Sequence, residues 1–97
     1  MYTIENIINE TASEGLKASK IKTLEAKEIL LITLEAGHLF PTHTSPRDAH
    51  LLMIEGSIDF YINDTSYHLE THQMFDFEKE TEHWVKAISD SKFLIIR

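Results

Sequence analysis

The 97-residue chain has no cysteine, only three glycines and only two prolines. Without a thiol there is no disulfide framework, no thiolate metal site and no cysteine nucleophile. Three glycines are too few for a glycine-rich loop that cradles phosphate. Basic residues are also sparse: nine Lys and Arg stand against sixteen Asp and Glu, for a net charge of -7. The nine are scattered, so the clustered cations that neutralise a nucleic-acid backbone are missing. No apolar run approaches the roughly 18 residues of a membrane-spanning helix, and "MYTIENIINE" is neither basic nor apolar enough for a signal peptide. These absences lead to the expectation of a cytoplasmic protein with no nucleic-acid or membrane partner. In that setting the Asn-x-Thr triplets at Asn9 and Asn63 carry no glycan.

What is present is ordinary globular material, 42% hydrophobic and 26% charged. The length supports one core and no separate catalytic lobe, so residues 1–97 are expected to form a single domain. Ile4, Ile7 and Ile8 fall at helical spacing and Gly15 follows, which predicts a short N-terminal helix within residues 1–15 that caps the core. From Leu16 the texture changes to short segments rich in Ile, Leu, Thr and aromatics, an all-β pattern. Strands are expected near 17–24, 28–35, 49–55, 57–62, 66–69, 73–77, 82–88 and 92–97, with turns at Ala36-Gly37, Glu55-Gly56 and Asn63-Asp64. "SIDFYIND" alternates as a strand with one buried face does. "HLLMIE" and "EILLITLE" do not alternate, so both their faces need cover. In so short a chain a second copy supplies that cover, and a homodimer through sheet faces is expected.

Spacing then narrows the choice among sandwich, barrel and jelly roll. Gly37 is followed by five residues, His43-Thr44-Ser45, three residues, Ala49, six residues and Gly56. Later, "HQMFDFEKETEHWVKA" places His72, Glu78, Glu80, His83 and Ala87 at intervals of their own. Residues 37–56 and 72–87 resemble the first and second motifs of the cupins. The first of those motifs runs Gly, five residues, His-x-His, three or four residues, Glu, six residues, Gly. The second runs Gly, five residues, Pro-x-Gly, two residues, His, three residues, Asn. The resemblance covers roughly residues 28–97 and implies a cupin-type double-stranded β-helix, a jelly-roll barrel. It also implies two histidines and a glutamate turned toward one metal ion from the first motif, since residues two apart on a strand share a face. Here that set is thinned. Ser45 stands for the second histidine, Ala49 for the glutamate and Ala87 for the asparagine, while His43 and His83 remain.

The expected site is therefore His43 and His83 inside the barrel. The pair could hold a divalent metal such as zinc, nickel or iron weakly, with Ser45 or water completing the shell. Alternatively, the two are neutral imidazoles lining a small-molecule pocket with no metal. Strand parity adds Leu51, Met53, Phe60, Phe75 and Val85 as its apolar wall. His38 and His50 should face away from it, Trp84 should face opposite His83, and His68 and His72 fall where exposed histidine is unremarkable. No carboxylate base stands at the motif position, and Ser45 beside His43 has no identifiable oxyanion hole. A binding or sensing module fits these residues better than turnover. Two alternatives stay open: a metal-dependent oxygenase or isomerase whose third ligand is Asp76 or His72, and a structural dimer whose barrel is filled by its own side chains.

Overall fold

The computed structural model describes residues 1–97. Nine strands carry nearly all of it: β1 Leu16–Leu24, β2 Lys27–Leu34, β3 Leu39–His43, β4 Ala49–Glu55, β5 Ser57–Ile62, β6 Thr65–Glu70, β7 Met74–Phe77, β8 His83–Ala87 and β9 Ser91–Ile96. They form a five-stranded sheet in the order β1-β2-β9-β4-β7 and a four-stranded sheet in the order β3-β8-β5-β6. Every ladder is antiparallel. The chain crosses between sheets after β2, β3, β4, β6, β7 and β8, which makes a flattened jelly-roll barrel. Side chains from both sheets meet in one core: Ile32, Leu51, Met53 and Phe93 from the larger, Phe60 and Val85 from the smaller. Each is fully buried and contributes about 1.5–3 kcal/mol.

Turns with left-handed residues fix the strand register. Asn63 and Asp64 take φ of 51° and 59°, the pair of positive values that closes a two-residue hairpin, with Ile62 opposite Thr65. Gly56 has φ 81°, and a Cβ there would lie 2.3 Å from the Asp90 carbonyl oxygen, so only glycine fits the switch from β4 to β5. His72 and Glu80 also have positive φ, 70° and 57°. These are the two places where the resembled motif has glycine. The backbone path is thus retained although the residues that relieve its strain are gone.

Two expectations need correction. The N-terminal helix shrinks to one turn, α1 Ile7–Glu10, with no buried residue, and Ile4 is 96% exposed. The segment does not cap the barrel. It runs along the outer face of the larger sheet, where Lys92 Nζ donates to the Ile8 carbonyl at 2.8 Å and Ser13 Oγ to the Ser91 carbonyl at 3.2 Å. Beneath that stretch Leu31 and Thr33 are buried although they lie outside the main core. A four-residue turn is too short to hold a helix by itself, and strapping side chains decide its path instead. The second correction is β3, which occupies part of a stretch left without a strand above. Pro41 argues against a central strand, and β3 is indeed the edge of its sheet.

Candidate functional site

Antiparallel pairing gathers one set of strand ends at one mouth of the barrel: the start of β2 near Glu28, the end of β3 at His43, the starts of β4 and β8 at Ala49 and His83, and the end of β9 before Arg97. His43 pairs directly with His83 across the β3–β8 ladder, beyond a bulge that follows Phe40. The bulge turns His43 inward, since a regular strand would place Phe40 and His43 on opposite faces. Their rings stand 4.3 Å apart, edge to face. His43 stacks on Phe40 at 4.0 Å, and His83 lies against Phe77 at 4.6 Å and Phe60 at 5.2 Å.

Each ring is held the same way. Nδ1 of His43 lies 2.7 Å from the Pro41 carbonyl oxygen, and Nδ1 of His83 lies 2.8 Å from that of Thr81. A carbonyl only accepts, so both Nδ1 atoms carry a proton, and the tautomer this selects for a neutral ring leaves the lone pair on Nε2. Neither Nε2 has a protein partner. His83 is only 2% exposed. Its pKa is pushed down chiefly by burial, with neighbouring His43 adding to the effect and the Thr81 carbonyl opposing it.

A cavity of about 240 Å³ opens beside these rings. His43, Ser45, His83, Phe60 and Val85 line it, as do Ile32, Phe40, Phe77, Phe93 and Arg97. Leu51, Met53 and Phe75, expected in its wall, do not line it. Parity places Leu51 and Met53 on the correct inner face, but both are fully packed core. Phe75 sits nearer the β6 side, against Phe60 and Tyr67 at 5.0 Å each. Parity fixes a face but not a position across the barrel, and the cavity lies between β2, β3, β8 and β9 rather than over β4. Arg97 was not legible as a site residue because it stands outside both motifs. Its Nε donates to Glu28 Oε1 at 2.9 Å and its Nη1 to Ser45 Oγ at 3.3 Å. Lys20 approaches the same carboxylate at 3.1 Å, and Arg97 and Lys20 together hold Glu28 below the usual carboxylate range.

The other histidines lie elsewhere. His50 meets Asp76 at 2.7 Å and His68 meets Asp59 at 2.8 Å, both on outer faces. His72 is an exposed turn residue. Trp84 faces outward, stacked on Tyr61 at 3.7 Å. No group of three or more His, Cys, Asp or Glu side chains could hold a metal ion. The interior offers two imidazoles, and the Ser45 hydroxyl already donates to the Arg47 carbonyl at 2.6 Å. That donor set falls short of the three or four ligands of a resident zinc-type centre, so the residues present do not fit one.

No family model matches the sequence, and no curated protein matches it. Solved structures do. An RmlC-like cupin protein from Desulfovibrio desulfuricans superposes with a TM-score of 0.84 at 19% identity, over 99% of this chain and 95% of that one. An RmlC-like cupin family protein with a double-stranded β-helix fold from Methanocaldococcus jannaschii gives 0.80 at 18% identity, over 100% and 87%. A cupin-2 domain containing protein from Shewanella frigidimarina gives 0.74 at 21% identity, over 87% and 81%. At these identities the likeness is one of architecture, and it agrees with the strand order and the motif spacing: the chain has the cupin fold.

Proposed function

We propose that the protein is a binding or sensing module for a small molecule, which enters the barrel mouth and sets its polar end against His43 and His83. One observation carries this. Two imidazoles locked by their own strands leave two Nε2 atoms without a protein partner beside an otherwise largely apolar cavity. A ligand hydroxyl or N–H would pair with one of them while its body covers Phe40, Phe60 and Phe93. Turnover chemistry has less support, because every carboxylate that touches a histidine does so on the outside of the barrel.

Nitrogen-15 NMR of the histidine rings tests the proposal, with phenol as a neutral probe that carries one donor. The expected result is a saturable shift of Nε2 in His43 or His83, together with calorimetric phenol binding that a folded His43→Ala, His83→Ala double variant loses. Unmoved ring resonances at millimolar phenol would overturn it. Metal analysis of protein purified without chelator is a second check, since near-stoichiometric metal, absent from the double variant, would replace this function with that of a metal-dependent cupin.

The same proposal includes a homodimer. Along the outer face of the larger sheet, the register sets Ile29 beside Ile96 and Leu94 beside Leu52, all half-buried, with Met74 66% exposed at the edge. A second copy covers such a row, with the paired His50 and Asp76 at its β7 side. Light scattering should give twice the 11.2 kDa chain mass, and Leu94→Glu should return the monomer. A monomer throughout the micromolar range would remove the dimer from the proposal.

A further inference from the structure

Resting on the cavity as a small-molecule site, we infer the class of its ligand: a small hydroxy-carboxylic acid, with the acid group on Arg97 and the hydroxyl on an imidazole. Arg97 is the only cationic side chain in the cavity wall. It is pinned from three sides. Its backbone N–H donates to the Glu28 carbonyl at 3.0 Å, its Nε to the Glu28 carboxylate, and one Nη1 hydrogen to Ser45. Nη2 has no protein partner, so part of the guanidinium fork stays free although the side chain is only 22% exposed. A fork held in place and partly vacant suits a carboxylate, since little rotamer freedom remains to be lost on pairing.

Charge points the same way. Glu28 serves both Arg97 and Lys20, so one carboxylate is shared between two cations at the mouth. An anion there meets a guanidinium whose pairing with Glu28 is not exclusive. The exposed carboxylates of Glu78, Glu80 and Glu82 lie on the loop leading into β8 and oppose anion entry, but salt and water screen them more than they screen a pinned guanidinium.

The second polar requirement comes from His83, 98% buried by its 2% exposure, with Nε2 unpartnered. An Nε2 lone pair repels a carboxylate and accepts from a hydroxyl, so one ligand satisfies both ends only if it carries acid and donor together. The cavity holds about the volume of eight waters, which limits the ligand to roughly the size of a single substituted ring.

Calorimetric titration with the three isomeric hydroxybenzoates, benzoate, phenol and benzamide tests this in the unaltered protein. At least one hydroxybenzoate should bind tenfold or more tighter than both benzoate and phenol, with benzamide weaker than benzoate. Arg97→Gln should abolish the preference for acid over amide. Arg97→Lys, which keeps the charge, should retain part of it even if the Gln variant folds poorly. If phenol and benzamide bind as well as any hydroxybenzoate, the acid anchor is wrong while the cavity site stands. If no probe binds the unaltered protein, anchor and cavity site fall together.

Discussion

The histidines inside the barrel and those outside it live in opposite chemistry. His43 and His83 are held by backbone carbonyls, packed among phenylalanines and touched by no carboxylate. His50 and His68 are exposed, and each has an aspartate within hydrogen-bond distance, with Glu70 also 3.4 Å from His68. The chain is rich in carboxylates and its fold keeps them out of the cavity, apart from Glu28 at the mouth, where two cations hold it. The fold thus keeps an interior suited to accepting one hydrogen bond or two, and it places the imidazole–carboxylate pairs that general base chemistry uses on the outer faces of the sheets.

Moving a carboxylate inward should break that division with the largest effect. Ala49 stands where the resembled motif has glutamate. It is buried opposite Phe77, whose ring touches His83. In Ala49→Glu an unpaired buried charge should cost about 3–5 kcal/mol in urea denaturation at pH 7. Millimolar zinc should restore part of the loss, because the new carboxylate gives the two imidazoles a third ligand. A variant as stable as the parent and indifferent to zinc would mean that the interior tolerates carboxylates and that their exclusion has no energetic meaning.

A smaller effect separates the backbone from the side chains it carries. The jelly roll was legible because turn positions, the β5 alternation and both motif lengths agree, and the His43–His83 pairing follows from those lengths. Other features were not legible. β3 was hidden by Pro41, whose cost vanishes at a sheet edge. The cavity wall was only half recovered, because strand parity reports which face a residue takes and says nothing of where the barrel is loosely filled, so Leu51 and Met53 were placed in a wall they do not form. Arg97 was missed because its role depends on Glu28, distant in sequence and adjacent only through the β2–β9 pairing. Strain at His72 and Glu80 likewise shows only in the folded backbone. Replacing either by glycine should raise stability by about 0.5–1 kcal/mol, relief of left-handed strain outweighing the entropy glycine adds to the unfolded chain. Glu80→Gly should do so without changing phenol affinity. A loss of stability would show that these side chains hold the loop in some other way.

The smallest effect, and the most direct view of the inner–outer contrast, is pH dependence. His83 is pushed below the ordinary value of 6.5, mainly by burial. The unfolded chain therefore takes up this proton at higher pH than the folded one, so the contribution of His83 to stability is complete above about 6.5 and is lost as pH falls from there through the folded pKa. His68 is pushed above 6.5, first by its hydrogen bond to Asp59 and then by Glu70. Its contribution is complete below about 6.5 and is lost as pH rises through the folded pKa. A proton NMR titration of the ring resonances should find the two histidines on opposite sides of 6.5, and Asp59→Asn should bring His68 back toward it while His83 stays in place. Were His83 to titrate above 6.5, or to move with Asp59, a carboxylate would have to reach the inner pair, and the acceptor-lined cavity on which the ligand proposal rests would not exist.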